Sequence, residues 1–489
     1  MAAPKKENES NQGRRLAILG AGPGGYPAAF IGASLGLDVT LIDPRPEPGG
    51  VCLYEGCIPS KTLLHVARFL EESRSAEAWG IHVGKPRIDI DKLRERSGKV
   101  VAKLTGGLAA LCSQRHVRYV RGRGRFADNH TVVVTDPDGD GKQERIEFDH
   151  AIVATGSRAS SLPGFDADRA AVWDSTDALR LEDVPQTLLV VGGGYIGLEL
   201  ATIYHALGSR VTVVEMTESL LPGVDPDLVE PLRNRLQADG GVGFDAILLR
   251  TRVTAMEPYQ HGVLVTLQDA DGTTARRKFN RVLVAVGRRP CTDGLGLENT
   301  GVIVNESGFI EVDHEQRTAE RHIFAVGDVA GEPMLAHKAS YEGRVAAEAA
   351  AGRPAASDAA AVPAVVFTDP EVAWAGLTET EARRRGLDVH VVRFPWAASG
   401  RAATLGRNDG LTKLIVENRT ERILGLGITG TGAGELIAEG VLAIETGTRA
   451  RDLMLTIHPH PTLSETVMET ADVFFGQSAH FMPRSGGGE

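Results

Sequence analysis

Apolar residues gather in two short runs, RLAILG at 15–20 and TLLVV at 187–191, each leading directly into glycine. Both have the length of a buried strand and no helical period, so each predicts a strand in a sheet covered on both faces. The chain continues alike in the two places. A glycine-rich turn opens a helix, and a second apolar strand, DVTLID at 38–43 or RVTVVE at 210–215, ends on an acid. Strand, glycine turn, helix, strand and acid make a βαβ unit, and its recurrence predicts two nucleotide-binding domains.

Between and after these units the pattern changes. Residues 60–113 read as largely helical. Short strands separated by turns fill 117–153, ending AIVATG, and again 244–286, ending VLVAVG. AHKASYEGRVAAEAAA at 336–351 predicts a helix, and the Pro/Ala-rich RPAASDAAAVP sets off a last portion mixing strands and helices. The fold class is therefore α/β: two Rossmann-like domains, at 15–157 and 158–286, plus a C-terminal α+β domain at 356–489. Residues 287–355 form a central segment returning to the first domain, and 1–14 are expected to be a disordered tail.

A chain of 489 residues is too long for one core, which agrees with roughly two to four domains. A net charge of −11 without a long basic run argues against nucleic acid or an anionic membrane as partner. No apolar stretch approaches the ~20 residues that span a bilayer. The first fifteen residues are polar and do not read as a secretory signal, so a cytoplasmic location is expected. Four cysteines are far too few for a disulfide-stapled fold of this size. A close pair among them points to catalysis or metal binding. With no second CxxC and no Cys/His cluster, no metal is expected.

Gly20, Gly22 and Gly25 form GxGxxG straight after the first strand. The first permits the tight turn, the second lets backbone approach a pyrophosphate, and the third packs helix on strand. The helix N-terminus then offers free amides to the phosphates, and Asp43 stands where an acid binds ribose hydroxyls. Pro27 falls early in that helix, where proline is tolerated. Gly192, Gly194 and Gly197 repeat the fingerprint, with Glu215 as the acid. A carboxylate there favours a ribose 2′-hydroxyl and repels a 2′-phosphate, which selects NAD over NADP.

Cys52 and Cys57 stand in GGVCLYEGCIPSK. On a regular helix five residues separate their Cα atoms by ~8.7 Å, beyond the ~7 Å limit of a disulfide. If they bond, the segment is irregular, and Gly49, Gly50 and Gly56 supply the freedom. A bond in such a setting is labile rather than structural. Two reduced core cysteines are the competing reading. Lys61 lies one turn beyond Cys57, and a pairing with Glu199, just after the second fingerprint, is a hypothesis.

The runs GAGPGGY, GGVCLYEGCIPSKTLLH, ATGSR, VVGGGYIGLELATIY, VAVGRRP, IFAVGDV, MLAHKASYEG, DPEVAWAGLTETEA, GAGELIAEG and HPHPTLSE occur in this order over nearly the whole chain. Together they resemble the flavoprotein disulfide reductases, and within them the dihydrolipoamide dehydrogenases. The resemblance implies FAD on the first fingerprint, touched also by Lys61, Gly124, Thr155, Gly156, Ser157 and by Asp328 at the ribityl chain. Met334, Leu335, Ala336 and His337 would pass the flavin ring. NAD would lie on the second fingerprint, with Glu199, Glu215, Val253 and Gly287. The last domain would pair two subunits as a homodimer.

The same resemblance makes His460 a base and Glu465 its orienting carboxylate, reaching the disulfide of the partner subunit. Other readings exist for both. His458-x-His460 suggests a metal without a third ligand, and Thr462-x-x-Glu465 fits a capping box. The implied reaction oxidises dihydrolipoamide with NAD, Cys52 exchanging with substrate and Cys57 facing the flavin. The implied partners are a lipoyl-bearing acyltransferase or a glycine cleavage carrier protein. A related NADH-dependent disulfide reductase and a flavoprotein kept for assembly are the alternatives. Arginines in place of Glu215 would indicate the NADP-linked reductases, and a second cysteine pair at the C-terminus would indicate mercuric or high-molecular-weight thioredoxin reductases. Tyr54, Glu55 and Pro459 depart from the usual pattern, and Glu55 is expected to raise the nearby thiol pKa.

Overall fold

The computed structural model describes residues 13–138, 141–162, 171–238 and 243–482. Of the expected tail, only Gly13 and Arg14 fall within them. The chain divides into two compact units: one of residues up to 62, 89–160 and 287–358, the other of 63–88, 161–286 and 359 onward.

The first unit is built on a five-stranded parallel sheet. Strand β1 (Arg15–Leu19) lies at its centre, with β2 (Asp38–Asp43) and Arg118–Arg121 on one side, and His150–Val153 and Ile323–Ala325 on the other. Helix α1 (Gly25–Ser34) makes the crossover from β1 to β2. The unbroken apolar run of β1 reflects burial on both faces. Leu16 and Ile18 pack into one core with α1, while Ala17 and Leu19 pack into another with Phe126 and Phe148. A residue of this kind contributes roughly 1.5–3 kcal/mol when fully buried. The central segment returns to this unit and supplies Ile323–Ala325 as an edge strand.

The cysteine segment comes after β2 as α2 (Gly50–Glu55) and α3 (Cys57–Ser75), which meet at Gly56. The helical run expected over 60–113 is interrupted: Gly80 turns left-handed at φ 80°, and a second helix, Ile90–Gln114, starts only where Asp89 accepts a hydrogen bond from the Lys92 amide. Glycine and a capping acid override the helical pattern between them.

The second unit repeats the sheet. Strand β3 (Thr187–Val191), helix α4 (Tyr195–Leu207) and β4 (Arg210–Val214) form the βαβ core, flanked by Ala246–Leu248, Arg281–Val284 and Val172–Trp173, all parallel. The residues after 359 form a five-stranded antiparallel sheet with helices Ala433–Glu445 and α5 (Glu465–Phe474), closed around buried Trp396, Phe394 and Leu414. No described helix is long and apolar enough to cross a membrane.

Candidate active site

The first glycine turn is shaped by backbone contacts that leave no room for side chains. Gly20 sits at φ 99°, and a Cβ on it would lie 2.3 Å from the Ala154 carbonyl oxygen. A Cβ on Gly25 would lie 1.8 Å from the Gly20 carbonyl oxygen, which is the helix-on-strand approach expected of the third glycine. Asp43, buried at the end of β2, accepts from the Ala21 amide at 2.8 Å and the Arg45 amide at 2.9 Å. Burial raises its pKa, and these two amides only partly offset the rise. A carboxylate has about four acceptor positions, so room remains for ribose hydroxyls.

The cysteine segment begins on top of this turn. The Gly49 amide donates to Ala21 O at 2.8 Å, and a Cβ on Gly50 would fall 2.5 Å from Gly22 Cα. Gly50 takes φ 59°, and Gly56, at φ −138° and ψ −114°, breaks the helix between the cysteines. The irregularity that the spacing demanded is thus at Gly56. Both residues are thiols, Cys57 exposed at the start of α3 and Cys52 half-buried. The Cys52 thiol is hydrogen-bonded to Cys57, and that bond, with burial, pushes its pKa strongly upward; the Lys61 charge works in the opposite sense.

Glu55 has a partner that the sequence did not show. Its carboxylate is held by the Arg45 guanidinium at 3.2 and 3.0 Å. The cation pairs with that charge, and the largest upward pushes on Cys52 come from Cys57 and burial. Arg45 carried no signal in the sequence, because a lone arginine in a proline-rich loop reads as solvated surface.

Other predicted residues of the first unit gather around two short links. Ser157 Oγ donates to Asp328 Oδ2 at 2.5 Å, and the Arg288 side chain donates to Ser157 Oγ at 2.7 Å and Ser157 O at 2.8 Å. Thr155 Oγ1 donates to Cys291 O at 2.8 Å, and Gly156 is left-handed at φ 71° with open space at its Cα. Met334 and Leu335 lead into the helix Ala336–Ala350, whose first residues include exposed His337. Within that helix Lys338 bridges Glu342 at 2.9 Å and Gly331 O at 3.1 Å, while Glu342 accepts from the Gly327 amide beside Asp328. Arg288, Lys338 and Glu342 escaped the sequence reading, although Lys338 and Glu342 stand at helical i,i+4 spacing. Gly124 lies in the strand Arg123–Asp128, its Cα against Leu19 and Val132. Gly287 accepts from the Ser160 amide at 3.0 Å.

The second turn copies the first. Gly192 is at φ 111°, and Cβ atoms on Gly192 and Gly197 would each lie 2.3 Å from a backbone carbonyl oxygen. Buried Glu215 accepts from the Gly193 amide at 2.7 Å and the Thr217 amide at 2.8 Å. Gly194 differs from Gly22: no described atom lies within 4 Å of a Cβ built there. Val253 sits on the adjoining strand Arg252–Tyr259, at a register shift. Glu199, buried in α4, accepts from the Phe367 amide at 3.0 Å. The glycine amides, the helix start and the acid suit a dinucleotide at each turn.

His460 is exposed, and its Nδ1 meets Glu465 Oε1 at 2.8 Å. Glu465 Oε2 accepts from the Thr462 amide at 2.7 Å. One half of the anticipated capping box is therefore present. The Thr462 hydroxyl bonds Pro459 O at 2.7 Å, and α5 starts only at Glu465, with Ser464 at the capping position. Burial works against the Glu465 carboxylate, but the Thr462 amide, His460 and His480 hold its pKa below the usual range. His458 is fixed between Glu439 at 2.7 Å and Thr456 O at 2.9 Å, so it already has partners for both ring nitrogens. The acids Asp225, Asp227 and Glu379 converge, but the buried Lys413 ammonium stands among them at 2.9, 2.9 and 2.6 Å.

Two family models match the chain: pyridine nucleotide-disulphide oxidoreductase over residues 14–343, and the dimerisation domain of the same name over 362–471. The dihydrolipoyl dehydrogenase of Vibrio cholerae is 47% identical over 462 residues, covering 94% of this chain and 96% of that one. That of Halobacterium salinarum is 45% identical, covering 96% and 98%. Among solved structures, LpdA from Mycobacterium tuberculosis superposes with a TM-score of 0.86 at 29% identity, covering 94% of this chain and 99% of that one. The HOCl-induced flavoprotein disulfide reductase RclA from Escherichia coli gives 0.81 at 29% identity, with the same coverage.

Proposed function

The chain belongs to the pyridine nucleotide-disulphide oxidoreductases, and from that premise we propose that it oxidises protein-bound dihydrolipoamide to lipoamide with NAD as acceptor. One observation carries the reading. The helix bearing Cys52 starts against the first dinucleotide turn, Gly50 on Gly22, so a dithiol–disulfide pair is built into the wall of a nucleotide site. The dihydrolipoyl dehydrogenases among its relatives share nearly its full length.

The chain's own groups suit the steps. Because Glu465 accepts only from a protonated nitrogen, His460 carries its hydrogen on Nδ1 and leaves Nε2 free as a base. His460 of the partner subunit takes the proton of one substrate thiol at Nε2, and the thiolate attacks Cys52 Sγ. The Cys52–Cys57 bond breaks, a Cys52–substrate disulfide forms, and Cys57 leaves as thiolate. The second substrate sulfur then attacks the first, closing the lipoamide ring and releasing Cys52, which recovers a proton. Cys52 holds that proton well, since burial and the neighbouring sulfur push its pKa up. Negative charge is better placed on Cys57, at the N-terminal end of the 19-residue α3. Bound at the two turns, FAD would accept the electron pair of the dithiol and NAD would take it as hydride.

Lys61 supports a thiolate on the pair by its charge, and catalytic roles for Lys61 and Glu199 belong to the same proposal. So do a lipoyl-bearing acyltransferase or glycine cleavage carrier protein as partner, and a cytoplasmic location. NADH formation from dihydrolipoamide by the purified protein tests the reading. No NADH formed in the presence of NAD and bound flavin refutes it.

A further inference from the structure

Glu55 stands where the redox segment turns, and its partner lies in a different part of the first unit. Arg45 reaches it from the loop after β2, with one guanidinium nitrogen on each carboxylate oxygen, at 3.2 and 3.0 Å. The same guanidinium lies 4.9 Å from the Tyr54 ring centroid, and the Tyr54 hydroxyl donates back to Glu47 O at 3.1 Å in the Arg45 loop. The loop is pinned again from the sheet, where the Tyr119 hydroxyl donates to Arg45 O at 2.8 Å. Most consequential is the other end of Arg45: its own amide donates to Asp43 Oδ1 at 2.9 Å. Asp43 is the acid assigned above to the adenosine ribose.

One residue thus touches both ends. Its backbone orients the carboxylate that holds the cofactor, and its side chain clamps the last residue of α2. The next residue is Gly56, whose φ −138° and ψ −114° separate Cys52 on α2 from Cys57 on α3. A planar, bidentate pair fixes direction as well as distance. The arginine side chain is 25% exposed and the glutamate 37%, which places this pair in a half-buried setting where screening is partial. The unusual Tyr54 and Glu55 are the two residues that receive Arg45.

We propose that Arg45 is a positioning residue that couples the grip on the cofactor's adenosine ribose at Asp43 to the geometry of the Cys52–Cys57 pair through Glu55 and Tyr54. The proposal rests on FAD occupying the first turn. It implies reciprocity: whatever disturbs the clamp at Glu55 loosens the flavin, and whatever disturbs Arg45 shifts the dithiol–disulfide balance.

The test uses the flavin-loaded full chain and its variants Arg45→Ala, Arg45→Lys, Glu55→Ala and the swap Arg45→Glu with Glu55→Arg. Two quantities are read: the rate of flavin release, by recovery of free-flavin fluorescence, and the dithiol–disulfide equilibrium against reduced and oxidised dithiothreitol, by alkylation and mass spectrometry. Arg45→Ala and Glu55→Ala should each move both quantities by about three- to tenfold, as expected for one half-buried bidentate pair. The swap should recover most of each change, and Arg45→Lys should fall between. Faster flavin release in Glu55→Ala is the informative result, since Glu55 does not bond Asp43 itself. The proposal is overturned if Glu55→Ala leaves flavin release unchanged, or if the swap is no better than the single variants. Arg45→Lys keeps the test open should Arg45→Ala fail to fold. A wild-type protein that holds no flavin would instead defeat the underlying assignment.

Discussion

The two glycine turns share a design and differ in what covers them. In each, the amide after the first glycine donates to an acid 22 residues on, at 2.8 Å for Ala21 to Asp43 and 2.7 Å for Gly193 to Glu215. In each, the second residue after the acid returns an amide to the same carboxylate. The first turn, however, is roofed. Gly50 packs on Gly22, and the helix Ala336–Ala350 closes so tightly that a Cβ on Gly343 would lie 2.3 Å from Gly24 O. The second is open at Gly194, and Tyr195 beside it is exposed. A roofed site suits a group held through many turnovers, and an open one suits a co-substrate that must leave. On the proposed assignment, similar local chemistry would serve opposite kinetic ends because the surroundings differ.

Crowding the two turns separates them most. Gly50→Ala places a Cβ against the Gly22 backbone at a left-handed φ of 59°, so neither end can yield. Flavin retained on purification, read as the flavin-to-protein absorbance ratio, should fall by more than about tenfold, with a clear loss of thermal stability. Gly194→Ala should leave flavin content and melting temperature nearly unchanged and raise the KM for NAD by about tenfold, because no described atom meets that position and the proposed dinucleotide would. Equal effects at both positions would erase the distinction.

Exchanging the acids comes next. Glu215→Gln keeps the shape but removes the charge that repels a 2′-phosphate. The preference for NAD over NADP, as a ratio of kcat/KM, should drop by roughly ten- to a hundredfold while flavin content holds. Asp43→Asn should do the reverse, costing flavin and sparing the NADP ratio.

A smaller effect comes from pH. Burial raises the Asp43 pKa, so this carboxyl takes up its proton at a higher pH than an ordinary aspartate. The raised folded value means that ionised Asp43 costs stability at neutral pH, and the cost disappears as pH falls below the unfolded value. Cofactor grip moves the other way, since protonation removes an acceptor from the ribose site. Flavin release should therefore quicken as pH falls through the raised pKa, and Asp43→Asn should flatten that dependence. Glu465, whose pKa is lowered, has the opposite sign. Its contribution to stability is present above the unfolded value and is lost as pH falls through the folded one.

Much of this was legible in the sequence because a few positions admit one solution. Gly20 and Gly192 need positive φ, Asp43 and Glu215 end buried strands, and a five-residue cysteine spacing cannot bond on a regular helix. Those constraints are local. What stayed hidden follows no such local rule. The Arg288–Ser157–Asp328 link arises only when the sheet brings distant loops together. The Arg45–Glu55 clamp, though its residues are only ten apart in the chain, rests on a loop arginine that carries no periodicity to betray it. The Glu55 expectation lacked this partner: its charge was weighed against Cys52 without the Arg45 cation that pairs with it. The half-formed capping box teaches the same lesson, since Glu465 serves His460 and Thr462 at once and the Thr462 hydroxyl turns to Pro459.

If the roofed turn carries a working cysteine pair that feeds electrons toward the open one, the thiol at the start of α3 is indispensable. Cys57→Ser tests this most directly, with dihydrolipoamide-dependent NADH formation measured alongside flavin content. The expected result is a loss of at least about a thousandfold in rate with flavin fully retained. A Cys57→Ser protein that still reduces NAD at the wild-type rate would contradict it.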